Sequence, residues 1–262
     1  MIGFELFNIF GLSISTHGAG IALAALLAIL LTRRQAKLRG VDPDIVYDFA
    51  TYALIAGVIG ARIWYVMFSW KNYAGDPLSI LRIWEGGVAL QGGLLGGIIA
   101  GVWFTKKRKI PVWSFADMIA PGLILAMAVG RIGDFMAGDD FGIVWERFGV
   151  VYKPGTMAYE NNGPVPLFPT ALFEAAADLI IMGAVLSLRK RNLIDGFRFL
   201  FMLATYSVAR FFLEFTRGDS LYTFFNLRTA QVTSVLTILI AVSLMIYRKK
   251  SVHRNDRLKG EV

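Results

Sequence analysis

Arg62, Arg131 and Arg210 are the residues whose chemistry first needs an explanation. Each lies inside a long apolar run: Arg62 in Gly60-Ala-Arg-Ile-Trp, Arg131 in Ala128-Val-Gly-Arg-Ile-Gly-Asp, and Arg210 in Ser207-Val-Ala-Arg-Phe-Phe-Leu-Glu. Ionisable groups in such runs are costly to place in hydrocarbon and are functional candidates by default. The same runs hold His17, Asp117, Asp134, Glu174, Asp178, Arg198 and Glu214. For Asp117, Asp178 and Arg198, a place at a helix end near the membrane surface accounts for the charge equally well. Arg210 and Glu214 are four apart and Arg131 and Asp134 three apart, so each pair shares a helical face and can form an ion pair. Structural pairing is one reading of these arginines. The other is anion binding, because a guanidinium is permanently charged and donates two parallel bonds to a phosphate. Several arginines facing one cavity at membrane depth would suit an anionic lipid headgroup.

The elements that must position these groups follow from composition. The chain has 262 residues, 56% hydrophobic and 18% charged, with 20 Phe and no Cys. That apolar content excludes a disordered chain, and the lack of Cys excludes a disulfide scaffold, a thiol nucleophile and a zinc-thiolate site. A spanning helix needs roughly 20 mostly apolar residues. Seven segments qualify, at about 12–31, 48–69, 88–104, 115–136, 170–188, 196–215 and 229–247. The net charge of +8 is divided among short basic clusters that follow segments one, three, five and seven. A nucleic-acid surface would not be split this way, so no nucleic-acid partner is expected. Alternate basic loops mark the cytoplasmic side, which puts the N-terminus outside and the C-terminus inside. Residues 1–15 have no Lys or Arg, so they lack the basic start of a cleavable signal, and the first helix is expected to remain.

The expected fold is all-α: a polytopic membrane protein in which residues 1–250 form one seven-helix transmembrane domain. Residues 141–169 hold Pro154, Pro164, Pro166 and Pro169 and are too polar to cross. They read as an outside-facing excursion long enough to cover something. On the same side, 69–87 carries Trp70, Tyr73 and Trp84, aromatics suited to the headgroup level. Residues 251–262 read as a charged, frayed cytoplasmic tail. Within 85–101, Gly92 and Gly96, Gly93 and Gly97, and Gly97 and Gly101 repeat the small-xxx-small spacing that lets helices approach closely. The glycines beside Glu85 and Gln91 flank polar side chains, where a backbone could come close to a ligand. The stretch 130–142 has four glycines and four charged residues and reads as a helix loosening at the outer surface.

Five stretches together carry a family resemblance. They are Gly60-Ala-Arg-Ile-Trp-Tyr-Val, Ile83-Trp-Glu-Gly-Gly-Val-Ala-Leu-Gln-Gly-Gly-Leu-Leu-Gly-Gly, Gly130-Arg-Ile-Gly-Asp-Phe, Pro169-Thr-Ala-Leu-Phe-Glu and Arg210-Phe-Phe-Leu-Glu-Phe-Thr-Arg-Gly-Asp-Ser. From about Phe10 to Tyr247 the chain resembles the bacterial prolipoprotein diacylglyceryl transferases. The resemblance implies transfer of the diacylglyceryl group of phosphatidylglycerol to the lipobox cysteine thiol of a prolipoprotein. A thioether forms and glycerol 1-phosphate leaves. It also implies the bacterial cytoplasmic membrane as the location, and a prolipoprotein signal peptide, phosphatidylglycerol and the bilayer as partners. Arg131 falls on the family's phosphatidylglycerol-binding arginine. Arg210, Glu214, Glu174, Asp117 and Gly142 fall on positions the family uses for binding or activity.

The chain also departs from the family pattern. Thr16-His17-Gly18 stands where the family has Trp-Tyr-Gly, Gln91 where its third helix has histidine, Asp134 for the asparagine of Gly-Asn-Phe, Asp139 for a glutamate, and Phe168 for a second histidine. The expected catalytic set is therefore His17, Arg210, Glu214, Asp139 and Gln91. The expected substrate-binding set is Arg131, Asp134, Arg62, Asp117, Glu174 and Gly142. No metal or other cofactor is expected. Arg131 and Arg210, with Arg62 as a weaker third, would stabilise charge on the leaving phosphate. His17, Asp134, Asp139 and Glu174 are the alternatives for taking the thiol proton. The substitutions keep open a catalytically altered or inactive lipid-binding paralogue. A transporter is a further alternative, although seven spans do not halve into repeats.

Overall fold

Long apolar runs satisfy their own backbone polar groups only as helices when no water is at hand, and helices dominate this chain. The computed structural model describes residues 5–9, 12–222 and 227–260, with side chains described for 18–222 and 227–252. The helices are α1 (Thr16–Leu38), α2 (Ile45–Phe68), α3 (Leu90–Lys107), α4 (Val112–Ala137), α5 (Met157–Asn162), α6 (Thr170–Ser187), α7 (Phe197–Leu213) and α8 (Thr229–Gly260). The exception is a short antiparallel hairpin, β1 (Glu5–Ile9) with β2 (Leu12–Ser15), which pairs Ile9 with Leu12 and Glu5 with Ser15.

Among the described residues, six helical stretches are long and apolar enough to cross a membrane: Gly18–Leu38, Ile45–Phe68, Val112–Ala137, Thr170–Lys190, Phe197–Thr216 and Thr229–Val252. The first expected segment is shifted, because Leu12–Ser15 is strand and α1 runs on through Arg33, Arg34 and Lys37. The third expected segment is α3, a helix of 18 residues diluted by glycines, with Gln91 at its start and Lys106 and Lys107 at its end. At 1.5 Å per residue it measures about 27 Å. The stretch 251–260, expected to fray, continues α8.

The chain forms two compact units. In the unit Thr32–Ala116, α2 and α3 meet along a glycine seam. A Cβ on Gly92 would lie 2.2 Å from the Gly60 carbonyl oxygen, and one on Gly96 would lie 2.1 Å from that of Ala56. Gly92 thus packs against protein, which corrects the reading of the Gln91-Gly-Gly glycines as a ligand approach. Gly97 faces open space. The link between α2 and α3 is gathered by Arg62. Its Nε donates to Ile80 O (2.7 Å), Nη1 to Gly86 O and Gly87 O (2.6 and 2.8 Å), and Nη2 to Ser79 O and Arg82 O (2.7 and 3.3 Å). Gly86 and Gly87 have φ of +88° and +76°, conformations that only glycine adopts at no cost, and these turn their carbonyls onto the guanidinium. Trp70 and Trp84 are exposed as expected, but Tyr73 is buried, with the Arg62 guanidinium 5.1 Å from its ring centre.

The unit Met1–Leu31 with Asp117–Val262 is built around α4, α6 and α7. Ala120 and Ile124 of α4, Ile181 and Val185 of α6, and Met202 of α7 form one buried core. Steps of three and four residues along each helix stay on one face. Following that face leads from Ile124 to Arg131, from Ile181 through Asp178 to Glu174, and from Met202 through Tyr206 to Arg210. The apolar stripe that buries these helices therefore becomes a polar stripe about two turns further along all three. The segment after α4 has its own small core, with Phe141, Tyr152, Ala158 and Leu167 buried together. There Thr156 caps α5, its hydroxyl accepting from Tyr159 N–H at 3.3 Å.

Candidate functional site

Glu174 is the centre of the site. It is 4% exposed, on the second turn of α6, and its carboxylate gathers three guanidiniums. Arg131 of α4 reaches Oε2 through Nε at 2.9 Å. Arg210 of α7 donates to Oε1 at 2.6 Å. Arg217, just after α7, reaches both oxygens through Nη1 at 3.3 and 3.4 Å. Buried charges are tolerated only when paired and hydrogen-bonded, and this arrangement meets that condition for all four groups at once.

The end of α4 supplies the next layer. Gly138 takes φ +74°; its N–H bonds Phe135 O at 3.2 Å and the Asp139 N–H bonds Asp134 O at 2.9 Å. This is the Schellman pattern that closes a helix with a left-handed glycine. The helix is thus intact to Ala137, not loosened, and the chain turns only there. Two residues on, Asp140 has φ +53°, a conformation that Asp tolerates better than most side chains. The turn brings its carboxylate onto both Arg131 and Arg217. Arg217 also holds Asp219, at 2.9 Å through Nε and 2.5 Å through Nη2. Arg210 pairs with Glu214 at 3.0 Å, as their spacing predicts. The expected Arg131–Asp134 pair is present but long, at 3.5 Å.

Gly142 fixes the loop that carries this layer. Its N–H donates to Phe168 O at 3.1 Å, and the Ile143 N–H donates to Thr216 O at 2.9 Å. A Cβ on Gly142 would lie 2.3 Å from Phe168 O, 2.5 Å from Thr170 Oγ1 and 2.8 Å from Thr216 O. The glycine is required because three strands of backbone converge there, beside Arg217.

Three guanidiniums face five carboxylates: Glu174, Asp140, Glu214, Asp134 and Asp219. The site is therefore no bare cationic pit. An incoming anion must use donors that remain unengaged. Among the described residues those are Nη2 of Arg131 and Nε of Arg210, whereas every nitrogen of Arg217 already holds a carboxylate. Beside them is a small hollow lined by Arg131, Glu174, Ala177, Asp178, Tyr206, Ala209, Arg210 and Leu213.

Burial alone would raise the pKa of Asp140. The hydrogen bond from Arg217 and the charges of Arg131, Arg217 and Arg210 outweigh it and hold the carboxyl below its ordinary value. A carboxyl depressed in the folded state adds stability above its unfolded pKa of about 3.9 and loses it as the pH falls through the lower folded value. Thermal unfolding in detergent at a series of pH values should therefore show an acid limb below about pH 4. Asp140→Asn, chosen because Asn tolerates the positive φ, should flatten that limb. An acid limb unchanged in the variant would count against Asp140 as its source.

The structure brings together Arg131, Asp134, Glu174, Arg210 and Glu214 of the expected residues, with Asp139 next to Asp140 in the turn. Asp117 is buried elsewhere in the unit and accepts from Gly196 N–H (3.0 Å) and Phe199 N–H (2.9 Å), with Arg198 at 3.8 Å. It thus caps the start of α7 and orients the helix that carries Arg210. Arg62 is the loop clamp described above; all five of its N–H groups are engaged, so it has none left for a phosphate. Gln91 is exposed in the first turn of α3, in the same unit as Arg62. His17 lies on α1, which approaches α4 one turn further on, where a Cβ on Gly20 would sit 3.5 Å from the Gly133 Cα; its side chain falls outside the described residues. Sequence reasoning missed Arg217, Asp140 and Tyr206, and left Asp178 out of the site. Asp178 stands four residues from Glu174 and Tyr206 four from Arg210, so helical spacing was the available signal for both.

A helical membrane protein with an arginine–carboxylate cluster beside a hollow among its helices defines the class. The family model for prolipoprotein diacylglyceryl transferase matches residues 5–247. A phosphatidylglycerol--prolipoprotein diacylglyceryl transferase of Oceanobacillus iheyensis is 39% identical over 247 residues, covering 92% of this chain and 86% of the relative. Its counterpart in Staphylococcus aureus strain Newman is 38% identical over 247 residues, covering 93% and 88%. The chain belongs to the prolipoprotein diacylglyceryl transferase family.

Proposed function

We propose that this protein transfers the diacylglyceryl group of phosphatidylglycerol to the lipobox cysteine of prolipoproteins, the first step of lipoprotein maturation. The observation that carries this reading is the unengaged Nη2 of Arg131, together with Nε of Arg210, at a hollow between α4, α6 and α7. These two donors come from different helices and are held in place by their other nitrogens. The lipid phosphate binds there.

In the reaction the cysteine sulfur forms a bond to the glyceryl carbon, and the bond from that carbon to the phosphate oxygen breaks. The bonding electrons leave with glycerol 1-phosphate, and the thiol loses its proton, since the thiolate is the nucleophile. Charge grows on the leaving phosphate, and fixed guanidiniums in a water-poor site stabilise it with little reorganisation. Glu174 sets the positions of the guanidiniums, Asp140 and Arg217 lock Arg131 from the loop side, and Glu214 holds Arg210. His17 and Asp139 are the candidates for the proton acceptor, because both oxygens of Glu174 are engaged.

In this reading α3 is a seventh span packed on α2, the N-terminus is outside, and the protein resides in the bacterial cytoplasmic membrane. The excursion 141–169 then stands on the outer face, where it receives the signal peptide. The test is the full-length purified chain with phosphatidylglycerol and a lipobox peptide. The expected result is a peptide mass gain of one diacylglyceryl group and release of glycerol 1-phosphate. Retention of phosphatidylglycerol with no mass gain would instead identify a lipid-binding paralogue.

A further inference from the structure

The hollow contains one charged group that the proposed chemistry leaves unused. Asp178 lies one helical turn from Glu174 on α6, is 2% exposed and lines the hollow with Arg131 and Arg210. Its Oδ2 has no hydrogen-bond partner among the described residues. Such a group is rare in native proteins and calls for an explanation. The nearby arginines do not supply a partner: Arg131 directs its bonds to Glu174, Asp140 and Asp134, and Arg210 directs its own to Glu174 and Glu214. Of the other lining residues, Tyr206 carries a phenolic donor but makes no hydrogen bond to Asp178 Oδ2, and Ala177, Ala209 and Leu213 have no side-chain donors.

An orphan carboxylate beside unengaged guanidinium donors repels a plain anion. It suits a ligand that carries both an anionic group and its own hydrogen-bond donor a few bonds away. We infer that Asp178 recognises a hydroxyl group of the polyol headgroup while Arg131 and Arg210 hold the phosphate. This rests on the proposed function, and it makes Asp178 the residue that separates a hydroxylated headgroup from one lacking hydroxyls. A site built to bond a substrate hydroxyl rejects an analogue without it, because its own polar group is then left buried and unpaired.

The test compares retention of three lipids by the full-length chain in detergent, using native mass spectrometry: phosphatidylglycerol, phosphatidylethanol, which has the same phosphodiester but no headgroup hydroxyl, and phosphatidylethanolamine, whose donor is an ammonium. The wild type should prefer phosphatidylglycerol to phosphatidylethanol by about tenfold or more. Asp178→Ala should bring that ratio to about one, by weakening phosphatidylglycerol and by removing the repulsion that disfavours phosphatidylethanol. Asp178→Asn keeps the side-chain volume and should give an intermediate ratio, which decides the matter if the alanine variant does not fold. Equal weakening of both lipids, no preference in the wild type, or stronger retention of phosphatidylethanolamine would each overturn the inference. Transfer to the lipobox peptide is measured in parallel. No wild-type transfer alongside an Asp178-dependent preference would sink the proposed reaction and leave this recognition standing; normal transfer with an Asp178-independent preference would do the reverse.

Discussion

Replacing Arg131 with alanine should lower the rate of diacylglyceryl transfer by about 10²–10³-fold, the usual cost of removing one preorganised donor at a developing oxyanion. Arg131 is the one guanidinium of the cluster with a whole Nη group unengaged, and it lines the hollow. The fold should tolerate the change. Without Arg131, Glu174 keeps Arg210 and Arg217, and Asp140 keeps Arg217, so neither of these carboxylates is stranded. Arg131→Lys should not restore the rate, because one ammonium cannot hold Glu174 and Asp140 and still offer a forked donor to phosphate. The measurement is the initial rate of peptide mass gain by purified variants whose insertion and unfolding midpoint match the wild type. A rate for the alanine variant within tenfold of wild type would remove Arg131 from the working site.

Glu174→Gln should act in the opposite way, on stability before chemistry. Each Glu174 oxygen is engaged by guanidiniums: Oε1 accepts from Arg210 and Arg217, and Oε2 accepts from Arg217 and forms an ion pair with Arg131. Whichever oxygen becomes an amide nitrogen, its N–H groups then face guanidinium N–H groups, and three cations lose the charge that holds them together. Breaking a buried pair from one side costs about 3–5 kcal/mol. The readout is the midpoint of denaturant-induced unfolding in micelles, with transfer activity falling as a consequence. A midpoint unchanged from wild type would show that the neighbouring acids, Asp140, Glu214 and Asp219, suffice to order the arginines. The two variants thus separate the group that meets the phosphate from the group that arranges it.

Much of this was legible in the residues. Segment length and apolarity located the helices, because a backbone in hydrocarbon has few ways to satisfy itself. The shared face of Arg210 and Glu214 followed from their spacing. The bounds of α1 were misread because an apolar stretch at 12–15 looks the same whether it pairs as a strand or begins a helix. The partners of Arg62 were hidden for a different reason. A buried guanidinium among apolar residues needs acceptors, and one-dimensional spacing cannot say whether these will be carbonyls of a folded-back loop or a ligand. Asp117 went the same way: its partners are the free N–H groups at the start of α7, 79 and 82 residues distant in sequence.

By itself, the sequence determined which charges had to be buried and which face of each helix would carry them, because a fixed 3.6-residue repeat converts spacing into direction. The tertiary structure alone decided that three such faces converge on Glu174, that Asp140 and Arg217 join them from the loops, and that Arg62 spends its donors on the carbonyls of the α2–α3 link. The physical reason is that a buried charge must find a partner, but the choice among partners depends on helix rotation and on the path of the turn at Gly138, which are set by packing between segments distant in the chain.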